Sequence, residues 1–160
     1  RRSGGAVRRL SVFDFDGTLF KSPEKPVDWA TGWWGNPASL SAPIVPERPG
    51  AEWWNAHVVE AAQRDSADPE TVSLLLTGRL AKRFTVRLTE LLAQAELSFD
   101  RVILSTGGDT EAHKLLMIGE FLSVYPTIVE VDIWEDRHEH LTKFTNFACE
   151  RGKFVRPFLV

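Results

Sequence analysis

Short apolar runs that alternate with helical patterns constrain the fold of this chain more than any other feature of its sequence. Five runs rich in branched and aromatic residues predict strands, at residues 10–15, 72–76, 102–104, 128–134 and 154–160. Because Pro157 cannot donate a hydrogen bond within a sheet, the fifth strand is expected at an edge.

Amphipathic helices are predicted between the strands, because apolar residues recur there at spacings of three and four. The three apolar stripes are Leu80, Phe84, Leu88, Leu91 and Leu92; Leu115, Ile118 and Leu122; and Leu141, Phe144 and Ala148. Strands that alternate with helices of this length predict an α/β fold, with a Rossmann-like parallel sheet of about five strands flanked by helices.

The bulk properties are those of an ordinary globular protein. A length of 160 residues predicts one domain over residues 1–160. The net charge of -3 gives no overall electrostatic signature of nucleic-acid binding, and no apolar run approaches membrane-spanning length. A single cysteine is typical of a reducing compartment, so we expect an intracellular protein, cytoplasmic or nuclear. Because the chain begins with Arg1 rather than Met, we expect it to be part of a longer protein.

The segment 21–50 interrupts the alternation. It contains six of the nine prolines and has no sustained periodicity, which predicts an irregular insertion after the first strand. Five of the six tryptophans lie between Trp29 and Trp54, whereas disordered segments are poor in aromatic residues. These tryptophans either pack the insertion against the core or stack on a flat group of a substrate. Both interpretations stay open at this stage.

An acidic pair follows the first predicted strand, in the sequence Asp14-Phe15-Asp16-Gly17-Thr18. Residues two apart in a strand project from the same face, and ligands of parallel α/β sheets collect at the carboxyl ends of the strands. Two adjacent carboxylates repel each other unless a cation or a shared proton relieves them. Mg²⁺, which prefers oxygen ligands, fits this position, and the alternative is a turn rich in aspartate.

Three further motifs arrive in order along the chain, and together with the first they resemble the haloacid dehalogenase (HAD) superfamily of phosphohydrolases. The second is Leu-Leu-Leu-Thr-Gly-Arg at 74–79, the third is His-Lys at 113–114, and the fourth is Trp-Glu-Asp-Arg at 134–137. The resemblance implies a HAD-type fold in which the insertion covers the active site.

The resemblance also implies catalytic roles. Asp14 attacks phosphorus to form an aspartyl-phosphate, and Asp16 acts as general acid and base. Thr77 holds a phosphate oxygen, and Lys114 steadies the phosphoryl group and the nucleophile. An acid at position 16 allows protonation of a leaving alkoxide and activation of water, which favours phosphatase chemistry over dehalogenation.

Metal and substrate residues follow from the same resemblance. Mg²⁺ is expected to bind Asp14, the backbone carbonyl of Asp16, and Asp136, while Glu135 binds through water or orients its neighbours. The residues expected to bind substrate are Thr18, Gly78 and Arg79. For Arg79, an ion pair with a nearby acid is an equal alternative to a contact with phosphate.

A finer resemblance is to the Swiss Army Knife RNA repair-like branch of the superfamily. Its marks are the Trp33-Trp34 pair, the Leu-Leu-Thr-Gly-Arg form of the second motif and the Trp-Glu-Asp-Arg form of the fourth. This branch implies a Mg²⁺-dependent phosphatase for phosphorylated nucleic-acid ends, with RNA or a nucleotide as substrate. The alternatives are a phosphatase for a small metabolite or a phosphoprotein, and a catalytically degenerate binding module in a multidomain protein. The oligomeric state stays open.

Overall fold

A computed structural model describes residues 7–160, and its strands form one five-stranded parallel sheet. The strands are β1 (Arg9–Phe13), β2 (Thr71–Leu80), β3 (Arg101–Ser105), β4 (Glu130–Glu135) and β5 (Phe154–Leu159). Their order across the sheet is β3-β2-β1-β4-β5, and every neighbouring pair is parallel. β5 lies at an edge, as Pro157 predicts, and the α/β fold is confirmed.

Four α-helices cover the sheet: α1 (Ala56–Ala67), α2 (Ala81–Gln94), α3 (Thr110–Val124) and α4 (His138–Glu150). The three predicted stripes lie on α2, α3 and α4, except that Leu80, the first residue of the first stripe, is the last residue of β2. The helix α1 was not predicted from the sequence, because its buried apolar stripe consists only of Val58, Ala61 and Ala62. Among residues 7–160, no helix combines the length and apolar character that crossing a membrane requires.

Side chains that alternate along the strands divide the core between the two faces of the sheet. Phe13 and Leu75 pack with α1 and α2 on one face, whereas Val12 and Leu74 pack with α3 and α4 on the other. Burial on both faces is typical of parallel sheets. The chain runs from β1 outward to β3 and then returns to the opposite side of β1 as β4. A ligand crevice is therefore expected between the carboxyl ends of β1 and β4.

The predicted insertion at 21–50 is irregular but packed against the core. A short 3-10 helix spans Pro37–Leu40, and a second, Ala51–Trp53, follows the insertion. Leu40 and Val45 are fully buried in the core cluster that contains Phe13.

Three arginines spaced four residues apart, Arg79, Arg83 and Arg87, bind backbone carbonyls of the insertion; we call them the arginine ladder. Arg79 donates to Trp34 (3.3 Å) and Arg83 to Gly35 (2.8 Å). Arg87 donates to the carbonyl oxygens of three residues, at 2.8, 2.8 and 3.0 Å: Leu40, Pro46 and Glu47. The irregular segment satisfies only some of its carbonyls with its own amides, and the ladder supplies donors to five others, which fixes the segment beside the sheet.

We predict that Arg87→Met loosens the insertion. Three carbonyls lose a charged donor, which should lower the free energy of unfolding by about 1–3 kcal/mol. Limited proteolysis should then cleave within residues 41–50 faster than in the parent chain. The matched control is Lys82→Met, which removes an exposed positive charge from the same helix. Equal cleavage rates in the two variants would contradict the role of the ladder.

Candidate active site

Asp14 follows β1 directly, and both of its carboxylate oxygens accept hydrogen bonds. Oδ1 accepts from Nζ of Lys114 at 2.8 Å, and Oδ2 accepts from Oγ1 of Thr18 at 3.1 Å. Lys114 comes from α3 and is almost fully buried, and Thr18 has no exposed surface. Two buried donors therefore fix the orientation of the carboxylate that the sequence predicts to be the nucleophile.

Buried apolar side chains and backbone hydrogen bonds fix the turn that follows Asp14. The amides of Leu19 and Phe20 both donate to the carbonyl oxygen of Phe15 at 3.0 Å, and all three side chains are fully buried. Gly17 has a φ of +74°, and a Cβ there would lie 2.3 Å from Oδ2 of Asp136. Glycine at this position therefore permits both the turn and the close approach of the β1 and β4 loops.

Glu135, the last residue of β4, lies at the centre of the site. Its Oε1 accepts from Nζ of Lys114 at 3.2 Å, and its Oε2 accepts from the amides of Asp136 and Arg137, each at 3.2 Å. Burial, and then the negative charge of Asp14, raises the pKa of Glu135 to about 8. Burial by itself lowers the pKa of Lys114, but the charges of Asp14 and Glu135 outweigh it and the net shift is upward. The ammonium of Lys114 therefore stays protonated.

Three carboxylates converge beside Lys114. Asp14, Glu135 and Asp136 each offer an oxygen, and these oxygens lie within 4.8 Å of one another. Hard oxygen donors at this spacing fit Mg²⁺. Asp136 is exposed and has room for such an ion, whereas Glu135 is buried beneath it. Lys114 supplies one positive charge, so even with Glu135 protonated the carboxylates of Asp14 and Asp136 leave an excess of negative charge, which a divalent cation would relieve.

The carboxylate of Asp16 is outside this cluster and pairs with Arg79. Nη2 of Arg79 donates to Oδ1 at 2.7 Å and Nε to Oδ2 at 2.9 Å, and the hydroxyl of Ser22 also donates to Oδ1. The remaining guanidinium nitrogen binds Oγ of Ser39 at 2.8 Å and the carbonyl oxygen of Trp34. Of the two roles that the sequence left open for Arg79, the ion pair is observed, and the contact with phosphate stays a prediction.

The second motif lies within β2 rather than after it, because β2 extends to Leu80 and not only to residue 76. Its pairing with β3 shifts register between Leu76 and Leu80. Thr77 lies in this irregular stretch, is almost fully buried, and accepts from the amide of Arg79 at 3.2 Å. A Cβ on Gly78 would lie 2.7 Å from the side chain of Thr110, so glycine permits the close approach of β2 and α3.

One cavity of about 640 Å³ brings most of the predicted site residues together. Those that line it are Asp14, Asp16, Thr77, Gly78, Arg79, Lys114, Glu135 and Asp136. Thr18 does not line it: its hydroxyl points to Asp14, so its direct contact with substrate stays a prediction.

Several further residues line the cavity that the sequence analysis did not assign to the site. Ser22, Lys25 and Trp34 come from the insertion, and Arg137 and His140 from the start of α4. Burial, and then the charge of Arg137, lowers the pKa of His140, which keeps this ring neutral at pH 7. Ser22, Lys25 and Trp34 could not be assigned to the cavity from the sequence, because the irregular insertion has no periodicity that indicates the direction of a side chain.

Comparison with curated proteins finds a relative in Saccharomyces cerevisiae, the uncharacterized protein YMR265C. The two sequences are 28% identical over 171 residues. The match covers 89% of this chain but only 37% of the yeast protein, so the chain spans little more than a third of its relative's length.

Solved structures share the fold at low sequence identity. A chain of a Pnkp1/Rnl/Hen1 complex matches with a TM-score of 0.62 and 15% identity, over 99% of this chain and 47% of that chain. The HAD domain of the effector protein Lem4 from Legionella pneumophila matches with a TM-score of 0.55 and 12% identity, over 94% of this chain and 84% of that one. Both likenesses support the HAD-type fold.

A family model described as HAD domain family 1 in Swiss Army Knife RNA repair proteins matches residues 18–158. The matched range contains Thr77, Lys114 and Asp136, three of the positions on which the resemblance was based. Both the superfamily and the branch expected from the sequence are therefore confirmed. The chain belongs to HAD domain family 1 of the Swiss Army Knife RNA repair proteins, within the haloacid dehalogenase superfamily.

Proposed function

We propose that this chain is a Mg²⁺-dependent phosphatase that forms an aspartyl-phosphate on Asp14 and acts on phosphorylated nucleic-acid ends. The observation that carries this proposal is the contact of Lys114 with both Asp14 and Glu135, at 2.8 and 3.2 Å, beside the exposed carboxylate of Asp136. A nucleophile, a fixed cation and oxygen ligands for a metal thus face one cavity. This is the set of groups that phosphoryl transfer through an enzyme carboxylate requires.

In the first step, a carboxylate oxygen of Asp14 attacks phosphorus and the bond from phosphorus to the leaving oxygen breaks. Lys114 and Thr18 hold the Asp14 carboxylate, so little reorganisation is needed before attack. Thr77 and Lys114 stabilise the negative charge on the phosphoryl oxygens. Asp14, Asp136 and the backbone carbonyl of Asp16 would hold Mg²⁺, which would supply positive charge to offset the negative charge of the transferring group.

Asp16 serves both steps. With substrate bound it must hold a proton, which it donates to the leaving oxygen, and it then regains a proton from the water that attacks phosphorus and breaks the bond to Asp14. Inorganic phosphate leaves and Asp14 is restored. Since both oxygens of Asp16 are bonded to Arg79 in the free protein, one of them must exchange its bond to Arg79 for a bond to substrate.

Nucleic-acid ends are the substrate class that the family favours, because its description names RNA repair proteins. A cavity of about 640 Å³ has room for more of the substrate than its phosphate. The complete set of acids, together with Lys114, argues against a degenerate binding module, since the loss of any one of them would impair turnover.

We predict that the chain hydrolyses a generic aryl phosphate with Mg²⁺ and that Asp14→Asn lowers kcat at least about 1,000-fold, because the nucleophile is lost. Asp28→Asn, an exposed acid of the insertion, is the matched control and should retain full activity. Phosphate release measured with Mg²⁺ and with a chelator checks both statements. The proposal is wrong if no metal supports turnover, or if Asp14→Asn is fully active.

Mg²⁺ should also stabilise the folded chain. At 100 times its dissociation constant, the ion should raise the free energy of unfolding by about 2.7 kcal/mol. Asp136→Asn should lose most of this gain, yet be at least as stable as the parent without metal, because the repulsion between the carboxylates of Asp136 and Asp14 is gone. Thermal denaturation with and without Mg²⁺ measures the stabilisation by the ion and the stability of the metal-free variant. Glu60→Gln on α1 is the control and should keep the full stabilisation by Mg²⁺. An equal gain in Asp136→Asn and the parent would exclude Asp136 as a ligand.

A substrate panel tests the nucleic-acid part of the proposal. Oligonucleotides with a terminal 2′-, 3′- or 5′-phosphate are compared with free nucleotides, a sugar phosphate and a phosphopeptide. We expect one oligonucleotide end to exceed the matching free nucleotide at least about tenfold in kcat/KM, which corresponds to about 1.4 kcal/mol of added binding energy. Equal, feeble turnover of all members would count against nucleic-acid ends, and preference for the sugar phosphate or the phosphopeptide would favour the corresponding alternative.

A further inference from the structure

Trp34 differs from the other tryptophans in and beside the insertion. Trp33 and Trp54 are buried in the core, Trp53 stacks on Phe20 with ring centroids 5.8 Å apart, and Trp29 packs edge-on against Trp33 at 5.1 Å. Trp34 is 47% exposed and lines the active-site cavity. Packing of the insertion against the core therefore accounts for all of these tryptophans except Trp34. Stacking on a substrate, the other interpretation that the sequence left open, stays open for Trp34.

The arginine ladder fixes Trp34 in place. The guanidinium carbon of Arg79 lies 5.4 Å from the centroid of the indole ring, and Nη1 of the same side chain binds the carbonyl oxygen of Trp34 at 3.3 Å. Arg83 holds the carbonyl oxygen of the next residue, Gly35, at 2.8 Å. An aromatic ring that is already positioned loses little conformational freedom when a ligand stacks on it.

Trp34 also lies close to the reacting end of the cavity. A single planar guanidinium, that of Arg79, binds the carboxylate of Asp16 on one side and the carbonyl of Trp34 on another. Asp16 is the proposed donor of the proton to the leaving oxygen, and Asp16 and Trp34 line the same cavity, so the group attached to that oxygen has space to extend toward Trp34. In a nucleotide, that group is a ribose that carries a flat base.

We propose that Trp34 is a specificity-determining residue on which the nucleobase of the leaving nucleoside stacks. The inference rests on the proposed function and deepens it, because it gives the substrate a flat aromatic group one sugar away from the phosphate. Stacking of a base on an aromatic side chain contributes about 1–3 kcal/mol, which corresponds to about five- to 150-fold in affinity.

The test compares a nucleoside monophosphate with the ribose phosphate that carries its phosphate at the same position, so that the two substrates differ only in the base. Trp34→Leu should lower the ratio of their kcat/KM values at least about fivefold, mainly through a higher KM for the nucleotide. Trp34→Phe should restore most of the ratio, and Trp29→Leu, which changes a tryptophan outside the cavity lining, should leave it unchanged. If Trp34 only supported Arg79 and Asp16, both substrates would lose activity equally; that result, or an unchanged ratio, would overturn the proposal.

A binding measurement separates this inference from the phosphatase proposal. If the parent chain hydrolyses neither substrate, the phosphatase proposal has failed, and stacking is tested by titrating the chain with a short single-stranded oligonucleotide that carries a terminal phosphate. Quenching of tryptophan fluorescence should be saturable in the parent and in Trp29→Leu, and largely lost in Trp34→Leu. Equal quenching in all three proteins, or no binding to the parent, would refute a stacking role for Trp34.

Discussion

The buried ammonium of Lys114 is the interaction on which the site depends. It lies between Asp14 after β1 and Glu135 at the end of β4, and it comes from α3 on one face of the sheet. Taking an ion out of water costs several kcal/mol, and only well-placed partners compensate for it. The charge of Asp14 also disfavours ionisation of Glu135 and contributes to its raised pKa, and the carboxylate of Asp136 adds further negative charge. This arrangement is better suited to binding a cation and a phosphate than to stabilising the fold.

Arg79 links the insertion to the chemistry. Its guanidinium binds Asp16, Ser39 and the backbone of Trp34, so the position of the proposed acid and the position of the cover depend on the same side chain. A lysine could not replace it, because one ammonium cannot bind a carboxylate through two parallel hydrogen bonds and also reach two other acceptors. Arg83 and Arg87 continue this attachment along α2. Together the three arginines hold the insertion close to the sheet, although the insertion has little regular secondary structure.

Much of this architecture could be predicted from the sequence, because strands and amphipathic helices have characteristic periods. The position of Asp14 followed from the end of a predicted strand, whereas Asp136 was assigned from the resemblance. The pairing of Asp14 with Lys114, across 100 positions, came from the resemblance and not from any local pattern. The helix α1 was missed because two alanines and a valine give a weak stripe. The central place of Glu135 was also not predicted, since burial beneath Asp136 depends on how the loops of β1 and β4 meet.

The directions of side chains in the insertion could not be predicted from the sequence. Trp33 and Trp34 are neighbours with the same side chain, yet one is buried and the other lines the cavity. The spacing of four residues between Arg83 and Arg87 on α2 could have indicated two donors that face one surface, whereas Arg79 lies in β2 and had no such signal. Periodicity assigns directions in helices and strands, whereas in an irregular segment the tertiary contacts decide.

The most direct measurement of the central claim is chemical trapping of the covalent intermediate. The chain is quenched during turnover with Mg²⁺ and substrate, reduced with borohydride, and mapped by peptide mass spectrometry. An aspartyl-phosphate is reduced to homoserine, so the account predicts homoserine at position 14, dependent on both substrate and Mg²⁺. Turnover without homoserine at position 14, or homoserine at another aspartate, would contradict it.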